Sequence, residues 1–232
     1  MDVNADDYGL HEIVPAGFIV GVDLGQANDF TAITVAERHE ERFTKPHDGR
    51  KPDRTIRHYQ LRHAQRLPLG TSYPDVAEYV GRMVASLSVP TQRSIVVPDL
   101  VVDGTGVGKP VVDMMRRAGL KPEAVAITGG REETSATFGS HAVPKRNLVS
   151  SLIVAFQEGR LKLSAGIPAI AELEHELLNF KARISATGHD TYDAWRESIH
   201  DDLVLATALA IWWGERGRQS AIVRPLMSVL SR

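Results

Sequence analysis

FIVGVDLGQANDFTAITV, residues 18–35, decides how the chain is read. It is an apolar run closed by Asp23, then a turn of small and polar residues (Gly25, Gln26, Ala27, Asn28, Asp29), then a second apolar run. Two such runs around a short polar turn predict a β-hairpin. Val20, Val22 and Leu24, which flank Asp23, are residues of a strand buried on both faces. A carboxylate at the end of such a strand is costly to ionise unless something pairs with it. It either caps the turn through backbone amides or serves as a metal ligand or phosphate-site residue. Asp29 lies inside the turn and suits capping better, which leaves Asp23 as a candidate functional acid.

Before the hairpin, residues 1–17 are acidic and carry Pro15 and Gly17, with little to bury. They are expected to form a flexible arm or linker remnant without a signal-peptide core. After it, residues 38–54 are highly charged, with Pro46, Gly49 and Pro52, and predict an exposed loop. Residues 55–67 alternate enough for a third strand, so the first three strands form an antiparallel meander. Val76, Val80, Met83, Val84 and Leu87 share one face of a helix over 71–87, capped near Thr71 or Ser72. Residues 94–102 are the next apolar strand, interrupted by Pro98 and followed by Asp103.

Pro110 starts a second helix that Gly119 closes, and 125–128 form a short strand. Residues 129–143 read as a polar loop. Helical spacing returns over 144–158 and 168–184, with a short strand expected at 161–163 between them. Residues 185–195 are a hairpin or a loop. The helix over 198–213 is apolar nearly all round from Leu203 on, so it belongs in the centre of the fold. Its first turn carries His200, Asp201 and Asp202. Residues 215–232 form a basic tail. The order of elements predicts an α/β fold: a mixed sheet with helices on both faces. Sites in such sheets lie at the carboxyl ends of the strands, where Asp23 and Asp103 both fall.

Composition narrows the function. The 232 residues are 43% hydrophobic and 24% charged, enough for a substantial core in one domain or two small ones. With a formal net charge of −2 there is no global basic field. A nucleic-acid partner would be met by a local patch beside an acidic site. The chain has no cysteine, which excludes disulfides and thiolate-bound zinc. No stretch reaches the length of a membrane span, so no membrane partner is expected.

Three places set carboxylates against an apolar background: Asp23, Asp103 and the Asp201–Asp202 pair. Magnesium and manganese take hard oxygen ligands of this kind. Two ions bridged by shared carboxylates can activate water and stabilise the leaving oxygen of a phosphodiester. Each place also has a plain structural reading: Asp103 opens a turn, and Asp201 and Asp202 complement a helix dipole. His200 fits a cap-region role better than ligation of a hard ion. The run GTGVGKP, residues 104–110, is not a P-loop, since Pro110 stands where Ser or Thr would hold magnesium. Nor is it a dinucleotide fingerprint, whose third glycine would fall at Lys109. Its glycines allow close backbone approach, to a helix or to a DNA phosphate. Lys109, Arg131, Lys145 and Arg146 are candidate contacts to a nucleic-acid backbone, or else solvated surface charge.

GVDLGQANDFTAITV (21–35), VVDGTGVGKPVVDMM (101–115), VPKRNLVSSLIVAFQEGRL (143–161) and HDDLVLATALA (200–210), in that order, resemble the C-terminal nuclease domain of phage terminase large subunits. The resemblance implies an RNase H-like fold, with three antiparallel strands followed by parallel ones, over residues 18–214. It implies a two-metal endonuclease, using Mg²⁺ or Mn²⁺, that cuts concatemeric double-stranded viral DNA during packaging. Asp23 resembles the first-strand acid of that family and Asp103 the later-strand acid. Asp202 resembles the acid of the last helix, with Asp201 sharing or replacing its role. Implied partners are a terminase ATPase domain or subunit, small terminase and portal protein, in the cytoplasm of a phage host. The chain has no Walker motifs, so no motor activity is assigned to it. Alternatives are a Holliday-junction-resolvase-like nuclease, an actin- or sugar-kinase-like ATPase, whose first phosphate loop VDLGQANDFTAITV also resembles, and a DNA-docking module without catalysis.

Overall fold

A computed structural model describes residues 10–25, 29–44, 54–90, 94–106, 108–136, 139–187, 201–216 and 224–225. In chain order the elements are β1 (Leu10–Asp23), β2 (Ala32–Thr44), β3 (Arg54–Arg66), α1 (Tyr73–Ser86), β4 (Val89–Pro90), β5 (Ser94–Val96) and β6 (Asp99–Asp103). Then come α2 (Gly108–Arg117), β7 (Pro122–Thr128), β8 (Thr134–Ala136), β9 (Ser140–Pro144), α3 (Lys145–Gln157), β10 (Leu161–Leu163), α4 (Ile170–Thr187), α5 (Asp202–Glu215) and β11 (Arg224–Pro225).

The main sheet has eight strands in the order β10-β3-β2-β1-β6-β7-β9-β8. β1, β2 and β3 pair antiparallel, with Asp23 opposite Ala32 and Ala32 opposite Arg66. β6 joins β1 in parallel, with Val22 beside Val102, and β7 and β9 continue in parallel. This is the expected RNase H-like mixed sheet. A separate three-stranded sheet pairs β4, β5 and β11.

Alternation along the central strands feeds two cores. Val20, Val22, Leu100 and Val102 face one side, where they meet Val76 and Val80 of α1 and Val111 and Met115 of α2. Ile19 and Val101 face the other, where they meet Leu148 and Leu152 of α3, Leu173 of α4 and the whole of α5. Helices therefore cover both faces, as expected. α5 is buried on every side from Leu203 to Gly214, which explains its apolar sequence. It lies directly on β1, because a Cβ on Gly21 would fall 2.0 Å from the Ala206 carbonyl oxygen. Only a glycine admits a helix backbone that close.

Several boundaries differ from the sequence expectation. β1 begins at Leu10, inside the stretch expected to be an arm, because β2 runs on to Thr44 and pairs with it. The charged stretch from Arg38 is thus strand up to Thr44; His11, Glu41 and His58 pair with one another there instead of facing water alone. Pro98 does more than interrupt a strand: β5 and β6 on either side of it belong to different sheets. The polar loop over 129–143 contains β8 and β9, whose Thr, Ser and His content hides a short edge strand, β8, and the strand that joins it to β7. Residues 185–187 close α4, and the remainder of the expected hairpin or loop, with His200, lies outside the described residues. No described helix is long and apolar enough to cross a membrane.

Candidate functional site

Asp23 is the last residue of β1 and Asp103 the last of β6, and these strands are parallel neighbours. Their side chains are hydrogen-bonded to each other. Burial, then the charges of Asp103, Asp201 and Asp202, push the Asp23 carboxyl well up from its ordinary value. Burial also raises Asp103, although Thr105 holds it down through its hydroxyl and its amide, 2.6 Å and 2.8 Å from Oδ1. Thr105 Oγ1 in turn accepts from the Ile127 amide at 2.8 Å, which ties the turn to β7. The glycine run does allow close backbone approach: a Cβ on Gly108 would lie 2.2 Å from the Asp103 carbonyl oxygen. The start of α2 is thereby clamped against the end of β6.

α5 brings the other two acids. Asp201 occupies its cap position and Asp202 its first turn. An aspartate at a cap normally accepts from a first-turn amide, but the Asp201 side chain is held from another element. Its side chain makes no capping bond, and Lys145 Nζ donates to its Oδ2 at 2.7 Å. The amide of Val204 donates instead to Oε2 of Glu176, on α4, at 2.9 Å. Asp202 is 5% exposed and takes Arg66 through both oxygens, Nε to Oδ2 at 2.7 Å and Nη2 to Oδ1 at 3.0 Å. The same Nη2 donates to Glu176 Oε1 at 2.6 Å, and the guanidinium lies 5.0 Å from the Phe30 ring centre. Burial, then the charges of Asp202 and Asp201, outweigh the Val204 amide and Arg66, and the Glu176 carboxyl is pushed up to about 8.

The four expected acids therefore gather at one end of the sheet, and Lys145 joins them. Lys109 is exposed on the first turn of α2, beside the end of β6. Arg131 follows β7 and Arg146 is the second residue of α3; Arg146 Nη2 donates to the Arg131 carbonyl at 2.6 Å, and both stand on the same strand-end surface. Arg66, Glu176, Thr105 and Phe30 belong to the site and were not among the expected residues. Glu176 did leave a signal: it follows Leu173 by three residues and precedes Leu177, so it falls on the apolar stripe of its helix. Arg66, at the end of an alternating strand, left none.

All the acids present carboxylate oxygens, the donor type that hard divalent cations take. Among the described residues no three His, Asp or Glu side chains stand in ligand geometry around one point. Asp23 and Asp103 stand side chain to side chain, and Asp202 and Asp201 are met by two cationic side chains, Arg66 and Lys145.

The fold and site define an RNase H-like α/β domain with an acidic centre on its two middle strands and its buried last helix. No family model matches the chain, and no curated protein matches it. Among solved structures it is similar to the human cytomegalovirus terminase nuclease domain, at 16% identity over 90% of this chain and 86% of that one, with a TM-score of 0.47. A manganese-soaked, inhibitor-bound form of that domain gives 13% identity over 91% and 86%, with a TM-score of 0.45. The large terminase nuclease of thermophilic phage G20c gives 14% identity over 86% and 81%, with a TM-score of 0.48.

Proposed function

We propose that the chain is a divalent-metal-dependent endonuclease that cuts double-stranded viral DNA during genome packaging. One observation carries the reading. Asp23, Asp103 and the Asp201–Asp202 pair are far apart in sequence, yet they converge closely enough for their charges to raise the Asp23 carboxyl. Nothing in the packing of the cores calls for four carboxylates there, and their repulsion is a cost that bound cations remove. The ordered sequence resemblance supplies the substrate class.

Asp23, Asp103 and Asp202 would hold the ions, with Asp201 as a neighbour that shares or replaces the role of Asp202. Mg²⁺ or Mn²⁺ ions, when bound, supply an activated water and stabilise the leaving oxygen of the phosphodiester. Hydrolysis there would join the water oxygen to phosphorus as the ester P–O bond breaks, and the proton given up by the water would end on the departing oxygen. Thr105 and Gly108 fix the Asp103 backbone and side chain, so its oxygens do not wander between turnovers. Lys109, Arg131, Lys145 and Arg146 lie on the strand-end surface where a DNA backbone would cross, and we assign them to phosphate contact. The nuclease unit spans residues 18–214 together with the strand residues from Leu10. It works with a terminase ATPase domain or subunit, small terminase and portal protein in the cytoplasm of an infected host.

Supercoiled-plasmid cleavage in Mg²⁺, Mn²⁺ and EDTA tests the reading. Nicking and linearisation with either ion, and none in EDTA, are the expected result. ATP hydrolysis without DNA cleavage would overturn it in favour of the actin- or sugar-kinase-like reading.

A further inference from the structure

The acid cluster carries its own cations. Arg66 closes on both oxygens of Asp202, and Lys145 closes on one oxygen of Asp201. Asp202 and Glu176 are 5% and 4% exposed, so this pairing takes place largely away from water. A two-pronged arginine–carboxylate pair occupies the in-plane lone pairs that a metal ion would use. Arg66 also has a second carboxylate, Glu176, and an aromatic face, Phe30, neither of which belongs to the aspartate set.

We propose that Arg66 and Lys145 are resident counter-ions that compete with divalent cations for Asp202 and Asp201. This rests on the metal-dependent reading above. They are positioning residues: they act on the ions only through the aspartates. They compensate the buried Asp202 and the partly exposed Asp201, whose charges would otherwise stand unpaired beside Asp23 and Asp103. When cations arrive, Arg66 gives up Asp202 and keeps its hydrogen bond to Glu176, so the guanidinium retains a partner in the site. Glu176 thereby has two tasks, capping α5 through the Val204 amide and receiving the displaced arginine. The affinity for metal is set by this exchange as well as by the ligands themselves.

Mn²⁺ binding to the full chain, titrated by electron paramagnetic resonance of the free ion, tests the proposal alongside thermal melts in EDTA. Arg66→Gln is expected to lower the melting temperature in EDTA and to tighten Mn²⁺ binding about tenfold, since a competing charge-assisted pair is gone. Arg66→Lys restores most of the wild-type affinity. Lys145→Gln, at the more exposed pair, is expected to tighten binding by a smaller factor and serves if Arg66→Gln does not fold. A purely structural arginine would lower the melting temperature and leave Mn²⁺ affinity unchanged or weaker. Unchanged or weaker affinity in both glutamine variants, with the wild type binding Mn²⁺, overturns the proposal and leaves the nuclease reading standing. A wild type that binds no Mn²⁺ at millimolar concentration overturns both.

Discussion

Gly21 and Ala206 touch backbone to backbone: a single Cβ on Gly21 would stand 2.0 Å from the Ala206 carbonyl oxygen. This contact sets the height of α5 over β1 and hence the reach of Asp201 and Asp202 toward Asp23. Gly21→Ala is expected to destabilise the protein by about 1–3 kcal/mol, the usual range for overpacking a closed core. It should lower cleavage more than the lost stability accounts for, because the helix carrying two of the acids is lifted. Denaturant melts and cleavage assays on the same preparation check this. Full activity in a folded Gly21→Ala protein would show that the acids do not depend on the height of α5.

Asp23→Asn keeps the shape of the side chain and removes the charge most opposed by its neighbours. Cleavage should be lost, while DNA binding stays equal or strengthens slightly, as one repulsive charge near the phosphates is gone. The metal-free protein should melt no lower than the wild type, since that carboxyl is held well above its ordinary value. Asp103→Asn and Asp202→Asn should also abolish cleavage, and the losses should not add, because the residues act as one unit. Gel-shift and plasmid assays on single and double variants give the answer.

The stability of the metal-free protein should fall as pH rises. Glu176 holds its proton in the folded state up to about 8, and Asp23 is also raised. A carboxyl with a raised folded value contributes stability that is complete below about pH 4, the ordinary carboxylate range, and lost as pH climbs through the folded value. Melting temperatures in EDTA should therefore decline between about pH 5 and about pH 8.5. Glu176→Gln should flatten the upper part of that decline. An equally steep decline in Glu176→Gln would rule out this carboxyl as its source.

Lys109→Ala should act on DNA alone. Its side chain is exposed on the first turn of α2, outside both cores. Loss of one phosphate contact should weaken binding modestly and reduce the salt slope, log affinity against log salt, by about 0.9. Melting temperature and Mn²⁺ affinity should not move. An unchanged salt slope would place Lys109 off the DNA path.

The main outlines were legible in the sequence where a residue carries its own local signal. Asp23 and Asp103 each close an apolar run, and a charge there is conspicuous against Val20, Val22, Val101 and Val102. The all-apolar α5 announced its central place by having no polar face. What was not legible depends on partners far along the chain. Arg66 at a strand end looks like any solvated arginine until α4 and α5 close over it. Lys145 reads as surface charge until the start of α5 is set beside it. β8 and β9 are short and polar, and only pairing on β7 and on each other makes them strands.

The parallel pairing of β1 with β6, and the late position of α5, also govern when the site comes into being. Synthesis delivers Asp23 in the first hairpin, Asp103 after α1, and Asp201 and Asp202 only once nearly the whole described chain has emerged. Contacts between segments so far apart in sequence form slowly, because the intervening chain must be closed into a loop first. A nascent or partly folded chain therefore carries separated carboxylates and no assembled centre. For a protein whose proposed work is cutting double-stranded DNA, the topology itself delays that capacity until the fold is complete.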